Sequence, residues 1–298
     1  MDYGTGPLFA ILTAMAFAIP QILVRRATYR SEESFTPLAI SMLVGTPIFV
    51  LLVTFTGEWQ TFINLTWQQY ILLVAAGLIH LVIARFLFFN STRIIGANPT
   101  AAITRTAVVF SVIFGVVFLD ESVTGLQIVA SLLIMFGAVL TTTEISRRTF
   151  RISTGGLLMG LGTALCSAGS ATLIRPVMEK VEAIYAPALI MYLAAFVVIL
   201  VLLAGNQRQR RALTHQDRTT FWMLAVGAVF LVIGHIFRFT ALKYSPVSVV
   251  QPLVATIVIF VLIFSWIINR KIDVFNWRVM AGIAMVLAGV FMIYGWFS

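Results

Sequence analysis

The chain has 298 residues, 60% of them hydrophobic and only 10% charged, with a mean hydropathy of +1.00. Soluble domains carry about a quarter charged residues, so a water-soluble fold is excluded. The net charge of +9 would suit nucleic acid only on a soluble basic surface; here Lys and Arg fall mostly between apolar stretches, so loop orientation accounts for them and no nucleic-acid partner is expected.

In chain order, hydropathy predicts helices near residues 7–25, 37–56, 68–92, 98–118 and 123–143, then near 155–175, 184–204, 219–242, 246–268 and 275–297. A bilayer span needs about 20 mostly apolar residues, and ten such spans leave only short loops and tails. The opening Met-Asp-Tyr-Gly lacks the basic region of a signal peptide, so the first apolar stretch is expected to stay as a helix. All six tryptophans, Trp59, Trp67, Trp222, Trp266, Trp277 and Trp296, fall at span ends or in a loop, where an indole sits at headgroup level. Pro20, Pro47, Pro99, Pro246 and Pro252 lie within spans or at their starts, as hinges or tolerated kinks. Gly156, Gly160, Ala164 and Ala168 let the sixth helix approach a neighbour closely, read as packing within one chain rather than dimerisation.

An offset of 150 residues lays the chain on itself. It takes Thr13-Ala14 to Thr163-Ala164, Arg25 to Arg175, Pro37 to Pro187, Gly77 to Gly227, Phe89 to Phe239, Thr106 to Thr256 and Phe114 to Phe264. The expected fold is therefore an all-α integral membrane protein of ten transmembrane helices, built as two inverted five-helix repeats over residues 1–146 and 147–298. Two copies of an odd-numbered unit enter a bilayer in opposite directions, the plan of many secondary transporters.

Basic residues set the direction. Odd-numbered loops hold Arg25, Arg26, Arg30, Arg93, Arg147, Arg148, Arg151, Arg208, Arg210, Arg211, Arg218, Arg270, Lys271 and Arg278, and even-numbered loops only Arg175, Lys180 and Lys243. Basic loops stay cytoplasmic, so both termini are expected outside a cell membrane. Matched loops also exchange charge: Asp120-Glu121 corresponds to Arg270-Lys271.

The segment Phe88–Leu140 has a small-residue turn at Gly96-Ala97, an LDESVTGLQ turn over Leu119–Gln127, and Ala130 and Gly137 seven apart; the second copy has FTALKYSPVSVVQPL and then Gly282 and Gly289. This pattern resembles the EamA repeat of the drug/metabolite transporter superfamily. The resemblance implies a ten-helix carrier moving metabolites by alternating access, with a cavity lined mainly by helices 3, 4, 8 and 9. Two features depart from the family. Lys271 stands where the first copy has Glu121, and the second loop, commonly arginine-bearing in the family, has no basic residue.

The predicted spans contain no Asp or Glu, yet they contain Arg85, Arg105, Arg238, His80 and His235. A charged group at mid-span costs about 2.5–3.5 kcal/mol on insertion scales, so each needs a reason. Uncompensated positive charge suits a carboxylate or phosphate. Arg85 and Arg105 are each expected roughly 10 Å in from the same membrane face, where two guanidinium forks could grip an anion. The alternative is that each bonds exposed carbonyls or reaches to the surface. Arg238 and His235 share a helical face nearer the opposite side, where Arg238, about four residues from the span end, is expected to reach to the surface if it does not bind a ligand, and His235 matches Arg85 in the repeat. His235 is a candidate proton carrier as well as a ligand contact, the alternative being a structural hydrogen bond. His80, the other proton-coupling candidate, lies five residues before Arg85, about 140° round an α-helix, on a face with Ala76, Gly77 and Ala84 that looks like close packing. Asn98 and Gln251 would position a polar ligand or bridge helices.

These residues point to a carrier of small anionic or zwitterionic metabolites, such as amino acids or organic acids, with a small-molecule substrate and the lipid bilayer as partners. A flippase for a phosphate-bearing lipid carrier would use the same arginines. A membrane-embedded enzyme fits poorly: His80, His215 and His235 are the only histidines, Cys166 the only cysteine, and no nucleophile elbow, metal cluster or phosphate loop is present, so no metal or cofactor is expected.

Overall fold

A computed structural model describes residues 4–28, 35–144, 153–268 and 277–294, and every regular element among them is helical. The boundary expected at 146/147, and Arg30, Arg147, Arg148, Arg151, Arg270, Lys271 and Trp296, lie outside the described residues, as do the side chains of Arg25, Arg26, Asn98 and Arg208. The helices are α1 (Thr5–Thr28), α2 (Phe35–Thr56), α3 (Trp59–Asn64), α4 (Trp67–Gly77), α5 (Arg85–Ile95), α6 (Ala97–Thr104), α7 (Ala107–Leu119) and α8 (Gly125–Glu144). They continue as α9 (Thr154–Met178), α10 (Tyr185–Gly205), α11 (Gln207–Thr214), α12 (Arg218–Tyr244), α13 (Val247–Val254), α14 (Ile257–Ile268) and α15 (Trp277–Tyr294). Nine stretches among the described residues are long and apolar enough to cross a bilayer, and a shorter apolar helix, Trp277–Ile293, follows them.

Apolar runs of this length fold as helices because lipid offers the backbone no other hydrogen-bond partner. Polar residues mark where they start. Thr66 and Gln69 form a capping box on α4, with Thr66 N donating to Gln69 Oε1 at 2.8 Å. Thr124 and Gln127 make the same reciprocal pair before α8, and Asp217 caps α12. Gly96, at φ 94°, ends α5, and Asp120, at φ 52°, ends α7.

Three expected spans are not continuous α-helices. The third, Trp67–Ile95, contains a π-helical turn over Leu78–Ala84 between α4 and α5. The fourth and ninth break at matched positions, Arg105-Thr106 and Ala255-Thr256. At both breaks the threonine hydroxyl bonds back to the carbonyl three residues earlier at 2.7 Å, Thr106 to Ile103 and Thr256 to Leu253. The polar stretches after α2 and α10, expected as loops, instead carry the short helices α3 and α11.

Packing is reciprocal between the repeats. α1 lies along α12, and its counterpart α9 lies along α4, the π-helical turn and α5; α1 also packs on α13 and α14, as α9 does on α6 and α7. α2 meets its own counterpart α10, and α8 meets its counterpart α15. In the last pair a Cβ on Gly137 would meet Gly282 O at 2.6 Å, and one on Gly289 would meet Ala130 O at 2.6 Å. Residue 130 faces 289 while 137 faces 282, so α8 and α15 run antiparallel, backbone against backbone. Around the shared core, large apolar side chains such as Phe55, Ile63, Phe118, Val201 and Phe291 remain exposed, as expected of a surface facing lipid.

Candidate functional site

Buried polar side chains from both repeats meet where the third, sixth, seventh, eighth and ninth spans converge. Arg238 on α12 is 2% exposed, its Nη1 donates to His80 Nε2 at 2.9 Å, and its Nη2 donates to Ser167 O on α9 at 3.2 Å. Gln251 Nε2 on α13 donates to the same carbonyl at 3.1 Å. His235, one α-helical turn before Arg238, holds its Nδ1 2.9 Å from the Tyr192 hydroxyl and 2.8 Å from Leu231 O. Its ring meets those of His80, Tyr192 and Phe17 edge-on, with centroids 5.6, 5.5 and 5.1 Å away.

The π-helical turn is what puts His80 and Arg85 into one site. On an α-helix, residues five apart diverge, but i→i+5 bonding takes more residues per turn, which brings the two round toward one side. The reading of His80 as a separate packing residue is thereby corrected. The guanidinium of Arg85 lies within electrostatic range of His80, Tyr192, His235 and Arg238. It donates to no acceptor among the described residues. Ser170 on α9 donates to Ala76 O at 3.3 Å just before this winding, and the Thr163 hydroxyl, which donates to Met159 O at 2.9 Å, lies 3.4 Å from Ala84 O at its end.

Because Nε2 of His80 accepts from Arg238, its proton sits on Nδ1, a buried atom with no hydrogen-bond partner. His235 Nε2 is also buried without one. No carboxylate bonds to Arg85 or Arg238 among the described residues. The cluster therefore offers a free guanidinium fork, one unpaired imidazole donor and aromatic walls to whatever enters, and it lacks negative charge.

The placement of the remaining candidates differs from expectation. Arg238 does not reach to the surface; it lies six residues inside the end of α12 and joins Arg85 at the centre. Arg105 does not pair with Arg85. It sits at the break between α6 and α7, its Nε turned onto Ala101 O at 3.2 Å. Asn98 belongs to α6, with its side chain outside the described residues. Tyr192 and the Ser167 carbonyl escaped the sequence reading. The one available signal was a tyrosine seven residues into an otherwise apolar span, since a phenol there needs a partner.

The EamA-like transporter profile matches the chain twice, over residues 4–143 and 154–295. The chain belongs to the EamA-like transporter family. It is thus a member of a membrane transporter family within the drug/metabolite transporter superfamily, not of a family of enzymes. The fold of this EamA-like protein is similar to that of a protein of known crystal structure, with a TM-score of 0.79 over 96% of this chain and 94% of the other, at 11% identity. Among curated proteins no match was found.

Proposed function

We propose that the chain is a secondary transporter of small anionic or zwitterionic metabolites, built as ten spans in two oppositely inserted repeats and working by alternating access. The observation that carries this reading is Arg85: among the described residues a guanidinium without an acceptor and with no carboxylate bonded to it, held at the helix crossing beside His80, His235 and Arg238. A substrate carboxylate or phosphate supplies the missing charge, gripped by the Arg85 fork and by the free Nδ1 of His80. Arg238 is already committed to His80 and Ser167 O, so it holds the imidazole in place and adds positive field. Tyr192, Phe17 and the two imidazoles form the walls against the ligand body.

Two observations support opposite insertion: the antiparallel contact of α8 with α15, and the exchange of charge between matched loops. With fourteen basic residues on odd loops and three on even ones, our reading puts both termini outside the cell.

The test is thermal stabilisation of the purified protein by carboxylates, amino acids, organic phosphates and organic cations, followed by flux in liposomes. Ligands bearing an anionic group should raise Tm and show saturable flux, and Arg85→Ala should abolish both. A response to cations alone would overturn the reading.

A further inference from the structure

The even-numbered loops meet at one end of the molecule, and there two carboxylates of the first repeat bond to backbone of the second. Glu58, just after α2, accepts from the N–H groups of Ile184, Tyr185 and Ala186 at the start of α10, at 3.3, 2.8 and 2.7 Å. Glu121, just after α7, accepts from Val247 N at 2.7 Å and Ser248 N at 3.0 Å at the start of α13. Both carboxylates sit on the positive end of a helix dipole and satisfy N–H groups that have no intrahelical partner.

The local chain is shaped to aim Glu121. Asp120 reverses the backbone at φ 52°, and the N–H groups of Asp120 and Glu121 both bond to Gly115 O. Gly115 lacks the Cβ that would strike the Glu121 carboxylate. Around this point Arg175 donates to the carbonyls of Leu242 and Lys243 at the end of α12, and Lys243 Nζ donates to Glu182 O at 2.6 Å. The ends of six spans are thereby tied together at the carboxylate face.

The second repeat has no acid at the matched positions. An offset of 150 takes Glu58 to Arg208 and Glu121 to Lys271, and neither can accept from an amide. The matched halves of the two broken spans differ accordingly. Leu253, Ala255, Thr256 and Ile257 are at most 4% exposed, whereas their counterparts Ile103, Arg105, Thr106 and Ala107 are all partly exposed. Like units in unlike surroundings report a conformation closed at the carboxylate face and looser at the arginine face.

We propose that Glu121, assisted by Glu58, is the latch of the carboxylate face: its bonds to α13 hold this face shut in the state seen here, and their release lets it open while the arginine face closes. α13 also carries Gln251, which shares the Ser167 carbonyl with Arg238, so movement of α13 reaches the site directly. The inference rests on the alternating-access reading, but its test needs no substrate.

A cysteine-free background takes one change, Cys166→Ser. Two single reporters are added to it separately: Ser248→Cys at the latched face and Ala101→Cys, at the position matched to Gln251, toward the arginine face. Each is alkylated with a membrane-impermeant maleimide in proteoliposomes sorted by orientation. In the parent, the latched-face thiol should be protected and the arginine-face thiol reactive. Glu121→Ala should speed labelling at the latched face by about tenfold or more and slow it at the arginine face, since a lost charge-assisted bond shifts a two-state balance by at least that factor. Glu121→Gln, which keeps one acceptor oxygen, should fall between them and guards against a misfolded alanine variant. Faster labelling at the latched face with the arginine face unchanged would mean local fraying of α13 and overturn the proposal, as would no change at either. Intact gating with no flux of any anion would instead count against the transport reading.

Discussion

Arg238 donates from Nη1 to Nε2 of His80 at 2.9 Å, so a guanidinium from one repeat is held by an imidazole from the other. The pair spans the interface on which any rearrangement of the halves must act. Removing the acceptor leaves a buried charge with a lost partner. His80→Ala should therefore cost about 1.5–3 kcal/mol, the usual worth of a hydrogen bond to a charged group. His80→Gln, whose carbonyl can accept, should recover part of it. Thermal unfolding in detergent measures both, and equal losses for the two variants would show that only ring packing matters.

Arg85 should behave in the opposite sense. It donates to no acceptor among the described residues, so replacing it removes a partly buried cation without a partner. Arg85→Met is expected to leave Tm unchanged or higher while raising KM for anionic substrates at least tenfold. Paired measurements of Tm and liposome flux decide the matter. A fall in Tm with unaltered flux would make Arg85 a structural residue.

Tyr192 shares Nδ1 of His235 with Leu231 O. In Tyr192→Phe the imidazole keeps its carbonyl partner, so the loss should be small, about 0.5–1.5 kcal/mol. The change should show more in substrate affinity than in unfolding temperature, because the ring edge remains and only the hydroxyl is gone. A collapse of stability would mean that the phenol, not the carbonyl, orients His235.

The α8–α15 contact makes a geometric prediction. Gly137→Val and Gly289→Val each push a side chain into a facing backbone carbonyl that has nowhere to retreat, costing about 1–3 kcal/mol. Gly125→Ala, where a Cβ would meet nothing within 4 Å, is the control and should be nearly neutral. Similar Tm values for all three would contradict the close approach.

The repeat, the positions of most spans and the seven-residue spacing of Ala130/Gly137 and Gly282/Gly289 were legible because they are periodic, and periodicity survives in sequence. The partnership of those two spacings was not, since a spacing names a close-packed face without naming what it meets. Arg85, His235, Arg238 and Gln251 stood out as polar residues in apolar spans. Their convergence did not, because the depth of Arg238 depended on an α12 that continues to Tyr244, beyond the expected end. The π-helical turn carries no composition signal: Leu-Ile-His-Leu-Val-Ile-Ala suits an ordinary α-helix, and the groups that meet its two ends, the Ser170 and Thr163 hydroxyls of α9, come from the other repeat. Glu121 read only as a loop acid and Glu58 carried no signal, since the helix starts they satisfy lie about 126 residues away in sequence.

The π-helical turn breaks a symmetry that the residue count keeps. Gly77 and Phe89 flank it, their counterparts Gly227 and Phe239 flank an unbroken stretch of α12, and both intervals contain the same number of residues. No insertion made the turn; one copy is simply wound more loosely than its twin. Everything past Ala84 is consequently swung round its axis relative to the second copy, so Arg85 and its match His235 approach from different bearings. A duplicated gene thus yields one lopsided centre with a cation on one side and an imidazole on the other, where strict twinning would have produced two identical half-sites.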